Sequence, residues 1–186
     1  MTKFYTTKGD DGYTGLLGEG RVPKNDRKME AIGALDEANA CLGVARSICQ
    51  PEAEKQTLLH IQRDLYYLMS EVASTPETAE RFRKIDAERV SWLEEKTDRL
   101  SELVEVPKEF IIPGDIYSAA VVDHARTVVR RAERRLADLY FAGELENIQL
   151  LRYINRLSSY CFVLEIFLHK EDGAGKISLA KERKSG

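Results

Sequence analysis

LLRYINRLSSYCFVLEIFLHK, residues 150 to 170, has the cleanest periodicity in the chain. Leu150, Ile154, Leu157, Cys161, Leu164 and Leu168 step by 4, 3, 4, 3 and 4 residues. Steps of three and four return side chains to one face of a helix. Their alternation is the seam of a helical bundle with left-handed packing. A helix over about 145–170 follows, and with it an all-α fold.

Working outward, four more helices are expected. Asn25 or Asp26 can cap one that runs to about Ser47. Pro51 opens a second, with Leu58, Ile61, Leu65, Leu68 and Val72 on one stripe; Ser74-Thr75-Pro76 ends it. A third covers about 86–103, with Val90, Leu93, Thr97 and Leu100 aligned. Pro107 and Pro113 bracket an extended connection, and a fourth helix follows over about 116–141, closed by Gly143. No segment reads as a strand. Residues 1–25 read as a loop-like arm, because Gly9, Gly12, Gly15, Gly18 and Gly20 crowd into it ahead of Pro23. Residues 171–186 read as a polar, mobile tail. The expectation is one domain: arm 1–25, five-helix bundle 26–170, tail 171–186.

Composition agrees. The chain has 186 residues, 43% hydrophobic and 32% charged, enough for a core of its own and too apolar for disorder. A net charge of −3 argues against a general nucleic-acid binder. Three cysteines, Cys41, Cys49 and Cys161, form no CxxC pair and suit a reducing compartment, with Cys41 and Cys161 expected to be buried. No apolar run is long enough to span a membrane, and MTKFYTTKGDD has no signal-like core. The mature chain is therefore expected to start near Met1 and to work in the cytoplasm.

Against the acidic balance, HARTVVRRAERR at 124–135 concentrates Arg126, Arg130, Arg131, Arg134 and Arg135. Arg126, Arg130, Glu133 and Arg134 share one helical face; Val121, Ala125, Val128, Ala132, Leu136 and Leu139 form the opposite, core-facing stripe. Glu133 could serve Arg130, and Asp138 could serve Arg134 or Arg135. The arginines still outnumber nearby acids, and like charges four apart cost about 0.2–0.5 kcal/mol per pair in an isolated helix. A phosphate-type anion, or carboxylates of another subunit, would offset that. Arginine favours planar, bidentate contact with such groups. The arm's TTKGDDGYTG adds threonine hydroxyls, Lys8 and glycine turns whose amides can nest an anion, with Lys24 just beyond. It is neither a Walker A loop nor a dinucleotide fingerprint.

Three blocks together resemble the PduO-type ATP:cob(I)alamin adenosyltransferases. They are YTTKGDDGYTGLLGEGRVPKNDRKMEAIGALDEANACLG at 5–43, FIIPGDIYSAAVVDHARTVVRRAERR at 110–135 and LRYINRLSSYCFVLEIF at 151–167. The resemblance implies a five-helix bundle that assembles as a homotrimer with active sites between subunits. It also implies transfer of the 5′-deoxyadenosyl group of ATP to the cobalt of reduced cobalamin, with triphosphate released and Mg2+ carried by ATP rather than by side chains. By the same resemblance, Thr6, Thr7, Lys8, Gly9, Thr14 and Gly15 wrap the nucleotide and Lys24 reaches its phosphates. Arg130, Arg131, Glu133, Arg134 and Asn155 form the helical wall of the site. Arg126 meets Asp36 of the next subunit. Phe110 presses on the lower face of the cobalt, although its residue type alone would suit core packing. A reductase and an adenosylcobalamin-dependent client enzyme are implied partners.

The chain departs from that family's pattern at Thr7-Lys8, where a basic residue normally precedes threonine. Gly114-Asp115 replaces a glycine pair, Asp123-His124 replaces a histidine–apolar pair, and Ser159 replaces an aspartate. His124 is assigned no role. Two other readings compete. One is a trimeric carrier or chaperone that retains the nucleotide pocket and delivers corrinoid to a client. The other, a ferritin-like di-metal bundle, needs two ExxH motifs, whereas Glu165 and His169 stand four apart.

Overall fold

The local signals that start and stop helices set the frame. In the computed structural model, which describes residues 5–181, α1 spans Arg27–Ile48, α2 Glu52–Val72, α3 Ala79–Phe82, α4 Ala87–Ser101, α5 Tyr117–Phe141 and α6 Ile148–Glu171. Asp26, Asp86 and Asn147 cap α1, α4 and α6, each side chain accepting a backbone N–H of the first turn at 2.8–3.0 Å. Asn147 therefore starts the last helix three residues later than the periodicity suggested. Gly143, at φ 75°, takes the left-handed position that ends α5. The fragment α3 is one turn, so the bundle has five long helices.

The helices pack in the order α2–α1–α5–α6–α4. Ala31, Ala38 and Ala45 on α1 and Ala125 and Ala132 on α5 are fully buried, and such small side chains let two helices approach closely. The α6 stripe is buried throughout, but burial extends well beyond it. From Tyr160 to His169 only Phe162 is less than buried. This helix is packed on both flanks, by α5 and α4, and is not a helix with one narrow seam. Truncating one of its leucines to alanine would cost about 2–5 kcal/mol. Two buried tyrosines of α6 are satisfied by acids: Tyr153 donates to Asp64 at 2.6 Å and Tyr160 to Glu54 at 2.6 Å. Arg89 closes the first pair from α4, also at 2.6 Å.

Two expectations are corrected. The arm is not strand-free: β1 (Tyr13–Gly15) pairs antiparallel with β2 (Arg21–Pro23). The tail is not wholly loose. Leu179 bridges Ile111, with Ile112 N donating to Ser178 O and Ala180 N to Phe110 O, each at 2.8 Å. Residues 1–4 of the arm and 182–186 of the tail lie outside the described residues. The three cysteines are free thiols, Cys49 and Cys161 buried and Cys41 only half-buried. Among the described residues, no helix is long and apolar enough to cross a membrane.

Candidate active site

The core-facing stripe of α5 holds as expected from Ala125 to Leu139, while Val121 is only partly covered. With that stripe buried, the arginines project outward and divide into two groups. Arg131 pairs with Glu37 of α1, and Arg135 pairs with Glu30 of α1 at 3.6 Å and with Asp138 at 3.8 Å. Arg126 donates through Nε to Asp123 on its own helix at 2.7 Å. Among the described residues, neither Arg130 nor Arg134 has a carboxylate partner, and Arg134 donates only to the Arg130 carbonyl at 3.0 Å. Three of the five charges are thus compensated within the chain. Glu133 is not spent on Arg130. It accepts from Asn155 Nδ2 at 2.8 Å, across from α5 to α6.

Asn155 is fixed from its other side too. Its Oδ1 accepts from Arg156 at 2.9 Å, and Arg156 donates to Glu94 of α4 at 2.7 Å. The chain Glu94–Arg156–Asn155–Glu133 spans three helices and sets which way the Asn155 amide points. Neither Arg156 nor Glu94 was singled out from sequence. Arg156 adjoins Asn155, but Glu94 lies far away in the chain and no spacing rule connects them.

In the arm, Thr7–Gly9 form a 3-10 turn, with Thr6 at its N-terminus. Gly12 N donates to Gly9 O at 3.2 Å and Lys24 N to Gly12 O at 2.9 Å. A β-carbon at Gly9 would stand 3.0 Å from Lys24 Nζ, so the ammonium lies directly over the glycine turn. Thr14 and Gly15 sit on β1 opposite Val22 and Arg21. Arg21 is the staple that sequence reading missed. It donates to both oxygens of Asp11 at 2.8 Å, to Lys8 O at 2.6 Å and to Tyr13 O at 3.1 Å. Its guanidinium holds the Asp11 carboxyl below the usual carboxylate range. The arm's base is pinned to the end of α2, where Leu17 N donates to Ala73 O at 2.8 Å and Thr78 donates to Leu17 O. Among the described residues, no hydrogen bond or ion pair joins residues 5–24 to the α5–α6 face. One chain therefore presents the arm and the arginine face as separate surfaces.

Phe110 is 89% exposed, which rules out the core-packing reading. Its loop is held from below by the tail, and Asp115 accepts from Ser178 N and Ser178 Oγ at 2.8 Å each. Those two donors lower the Asp115 pKa. Ile112 and Tyr117 are also exposed nearby in the sequence, so the loop and the start of α5 carry uncovered apolar side chains. Asp36, on α1, is exposed and makes no ion pair among the described residues. His124 is exposed as well. A cleft of about 270 Å³ opens elsewhere, at the end of α2, lined among others by Lys28, Glu71, Thr75, Arg83 and Glu144, and none of the expected site residues reaches it.

The chain matches the sequence profile of the family described as cobalamin adenosyltransferase over residues 4–168. It belongs to that family. It is 37% identical over 179 residues to a corrinoid adenosyltransferase of Bacillus subtilis, covering 94% of this chain and 91% of the relative. It is 39% identical over 161 residues to the corrinoid adenosyltransferase PduO of Salmonella typhimurium, covering 86% of this chain and 48%, about half, of that longer protein. Among solved structures, it superposes with a TM-score of 0.86 on a variant of the PduO-type ATP:corrinoid adenosyltransferase from Lactobacillus reuteri complexed with cobalamin and ATP. That match has 32% identity and covers 99% of this chain and 98% of the other.

Within this family fold, Lys24 stands over the Gly9 turn, and Glu133 is bonded to Asn155 beside the unpaired Arg130 and Arg134. Arg131 and Arg126 stand apart from that group because each is already engaged by an acid of its own chain.

Proposed function

We propose that this protein transfers the 5′-deoxyadenosyl group of ATP to the cobalt of reduced cob(I)alamin, giving adenosylcobalamin and triphosphate. The observation that carries the reading, in a chain of this family, is the α5 face, where two uncompensated arginines flank an oriented Glu133–Asn155 pair. A structural neighbour holds cobalamin and ATP together, and the same two substrates are assigned here.

The chemistry asks little acid–base work of the protein. The cobalt lone pair forms the Co–C bond to C5′ while the C5′–O bond breaks, and its electrons leave with the triphosphate. What remains is to hold ATP in line and stabilise charge on the leaving group. Arg130, Arg134 and Lys24 are the cations for that charge. Arg131 would contribute only by leaving Glu37. Thr6, Thr7, Lys8, Gly9, Thr14 and Gly15 would close over the nucleotide, and Glu133 and Asn155 would orient it through a fixed acceptor and amide. Mg2+ would enter on the ATP phosphates. Phe110, already exposed on an anchored loop, would face the corrinoid and displace the lower axial ligand of cobalt.

A homotrimer is part of the proposal. The separation of arm and arginine face within one chain supports an arm from one subunit closing over the face of the next, with Asp36 of one chain opposite Arg126 of its neighbour. We assign the work to the cytoplasm, with a reductase supplying reduced corrinoid and an adenosylcobalamin-dependent enzyme receiving the product.

The test is an anaerobic assay with ATP, Mg2+ and chemically reduced cob(I)alamin. Loss of the Co(I) absorbance with formation of light-sensitive adenosylcobalamin is expected. ATP binding without product would instead point to a corrinoid carrier. For the shared site, Lys24→Ala and Arg130→Ala chains mixed and reassembled should recover activity that neither has alone. No recovery would place arm and arginine face on the same subunit.

A further inference from the structure

Glu165, on the buried side of α6, has no role in the reading above. It is 4% exposed, and its Oε2 is buried without a hydrogen-bond partner. The buried acid whose charge acts on it most is Asp123, itself 7% exposed on α5. A buried carboxylate oxygen left unpartnered is costly while a neutral one is much less so, and a second buried acid nearby adds to that cost. Asp123 accepts from Arg126 Nε at 2.7 Å, whereas Glu165 has no cation partner among the described residues, so the proton belongs on Glu165.

The surroundings fit one anion and one cation. Asp123 and Arg126 face Glu165 from α5. On its own helix, Cys161 and His169 lie one turn to either side. Asp115, from the loop ahead of α5, is 3.7 Å from His169. Glu165 and His169 also line a small cavity floored by Ile111, Ile112 and Gly114, beneath the loop that bears Phe110. Burial and the neighbouring Asp123 push the Glu165 carboxyl up to about 8, and burial pushes the Cys161 thiol up to about 12, so Cys161 stays neutral where Glu165 titrates.

We propose that Glu165 is a positioning residue whose neutral side chain keeps a single negative charge behind Arg126, so that the guanidinium spends only its Nε on its own chain and its terminal nitrogens are left to meet an acid of the neighbouring subunit. This rests on the reading of Arg126 as an interface cation. Loss of the proton puts two buried anions behind one arginine. The terminal nitrogens of Arg126 are then drawn into its own chain as well, and the subunit contact and the turnover that depends on it weaken.

The experiment compares wild type, Glu165→Gln and Glu165→Ala from pH 6.5 to 9. Glutamine reproduces the uncharged group at every pH. Turnover by Glu165→Gln relative to wild type is expected to rise several-fold from pH 7 to 9, and sedimentation of the wild type should shift toward smaller species over the same range. Glu165→Ala should lose activity at all pH values, with glutamine restoring it. Thermal stability supplies an independent reading of the proton. A carboxyl raised in the folded state favours folding below its unfolded value and loses that contribution as pH rises through the folded one. Wild type should therefore lose stability relative to Glu165→Gln between about pH 5 and 8. A constant activity ratio across pH overturns the proposal, as does an equal pH dependence of stability. If the stability difference appears but Asp36→Ala leaves assembly and rate untouched, the proton is real and the interface reading of Arg126 is what fails.

Discussion

Replacing Arg130 with alanine separates a ligand-binding cation from a structural one, because the structure predicts opposite effects on activity and stability. Arg130 is exposed and has no carboxylate partner among the described residues, so its removal breaks no ion pair. It does remove two like-charge contacts at i,i+4, with Arg126 and Arg134, worth about 0.2–0.5 kcal/mol each in an isolated helix. Alanine is also the better helix former. Stability should hold or rise by up to about 1 kcal/mol, a Tm increase of about 2–4 °C for a chain of this size. Activity should move the other way. Losing one preorganised donor to a developing anion costs about 10²–10³ in rate, or about 2.7–4 kcal/mol. Arg131→Ala is the control. Its pair with Glu37 is about half-exposed on both sides and worth under about 1 kcal/mol, so a small stability loss and a much smaller kinetic loss are expected. The assays are adenosylcobalamin formation under saturating and limiting ATP, with thermal unfolding of the same samples. Wild-type kinetics in Arg130→Ala would remove it from the site, and equal kinetic losses in the two variants would refute the division of the arginines drawn here.

Phe110→Ala should leave Tm within about 1 °C, because the ring is almost wholly exposed, yet slow the use of cob(II)alamin plus reductant more than the use of free cob(I)alamin. Equal slowing of both would mean that Phe110 does not act on the lower ligand. Asp36→Ala should weaken assembly in sedimentation and lower turnover, and no change in either would dismiss the intersubunit pair with Arg126. Ser178→Ala should speed amide exchange at Ile112 and Ala180 by loosening the tail from the Phe110 loop. The Asp115 carboxyl is depressed in the folded state, so its bonds to Ser178 contribute above the ordinary carboxylate range and are lost as pH falls through the folded value. Protection at those amides, corrected for intrinsic exchange, should fall below about pH 4 in wild type; pH-independent protection would detach Asp115 from the clamp.

Helix periodicity was legible because it is local. The six positions spaced along 150–168 all proved buried, and the core stripe of α5 proved buried apart from Val121 at its start. The arm hairpin was not legible, and the reason is physical. Its strands have three residues each, too few for an alternating pattern, and what holds them is the Arg21 side chain ten residues from Asp11. The docked tail depends on pairing Leu179 with Ile111, a contact that neither segment's composition signals. The Gly114-Asp115 departure gains a reason here, since the aspartate is what receives Ser178. The candidate site residues came from motif resemblance, and their present partners were not legible. Glu133 could have served Arg130 by spacing alone, yet Asn155 from another helix takes it.

The split among the arginines also explains how an acidic chain sustains so basic a helix. Glu30 and Glu37 stand two helical turns apart on α1, and Arg131 and Arg135 one turn apart on α5. Helices that pack closely can exchange such pairs along one flank, so that flank is neutral without help. The other flank ends at Arg130 and Arg134, next to a carboxylate whose acceptor is already directed at an amide. A cationic edge beside a fixed Glu133–Asn155 pair suits a ligand with a polyanionic end and a polar, uncharged body. ATP has that form, and triphosphate alone lacks the second half. On this proposal, displacement of triphosphate should leave the product side of the site weakly held, because the group the arginines would bind no longer shares a molecule with the group the Glu133–Asn155 pair would orient.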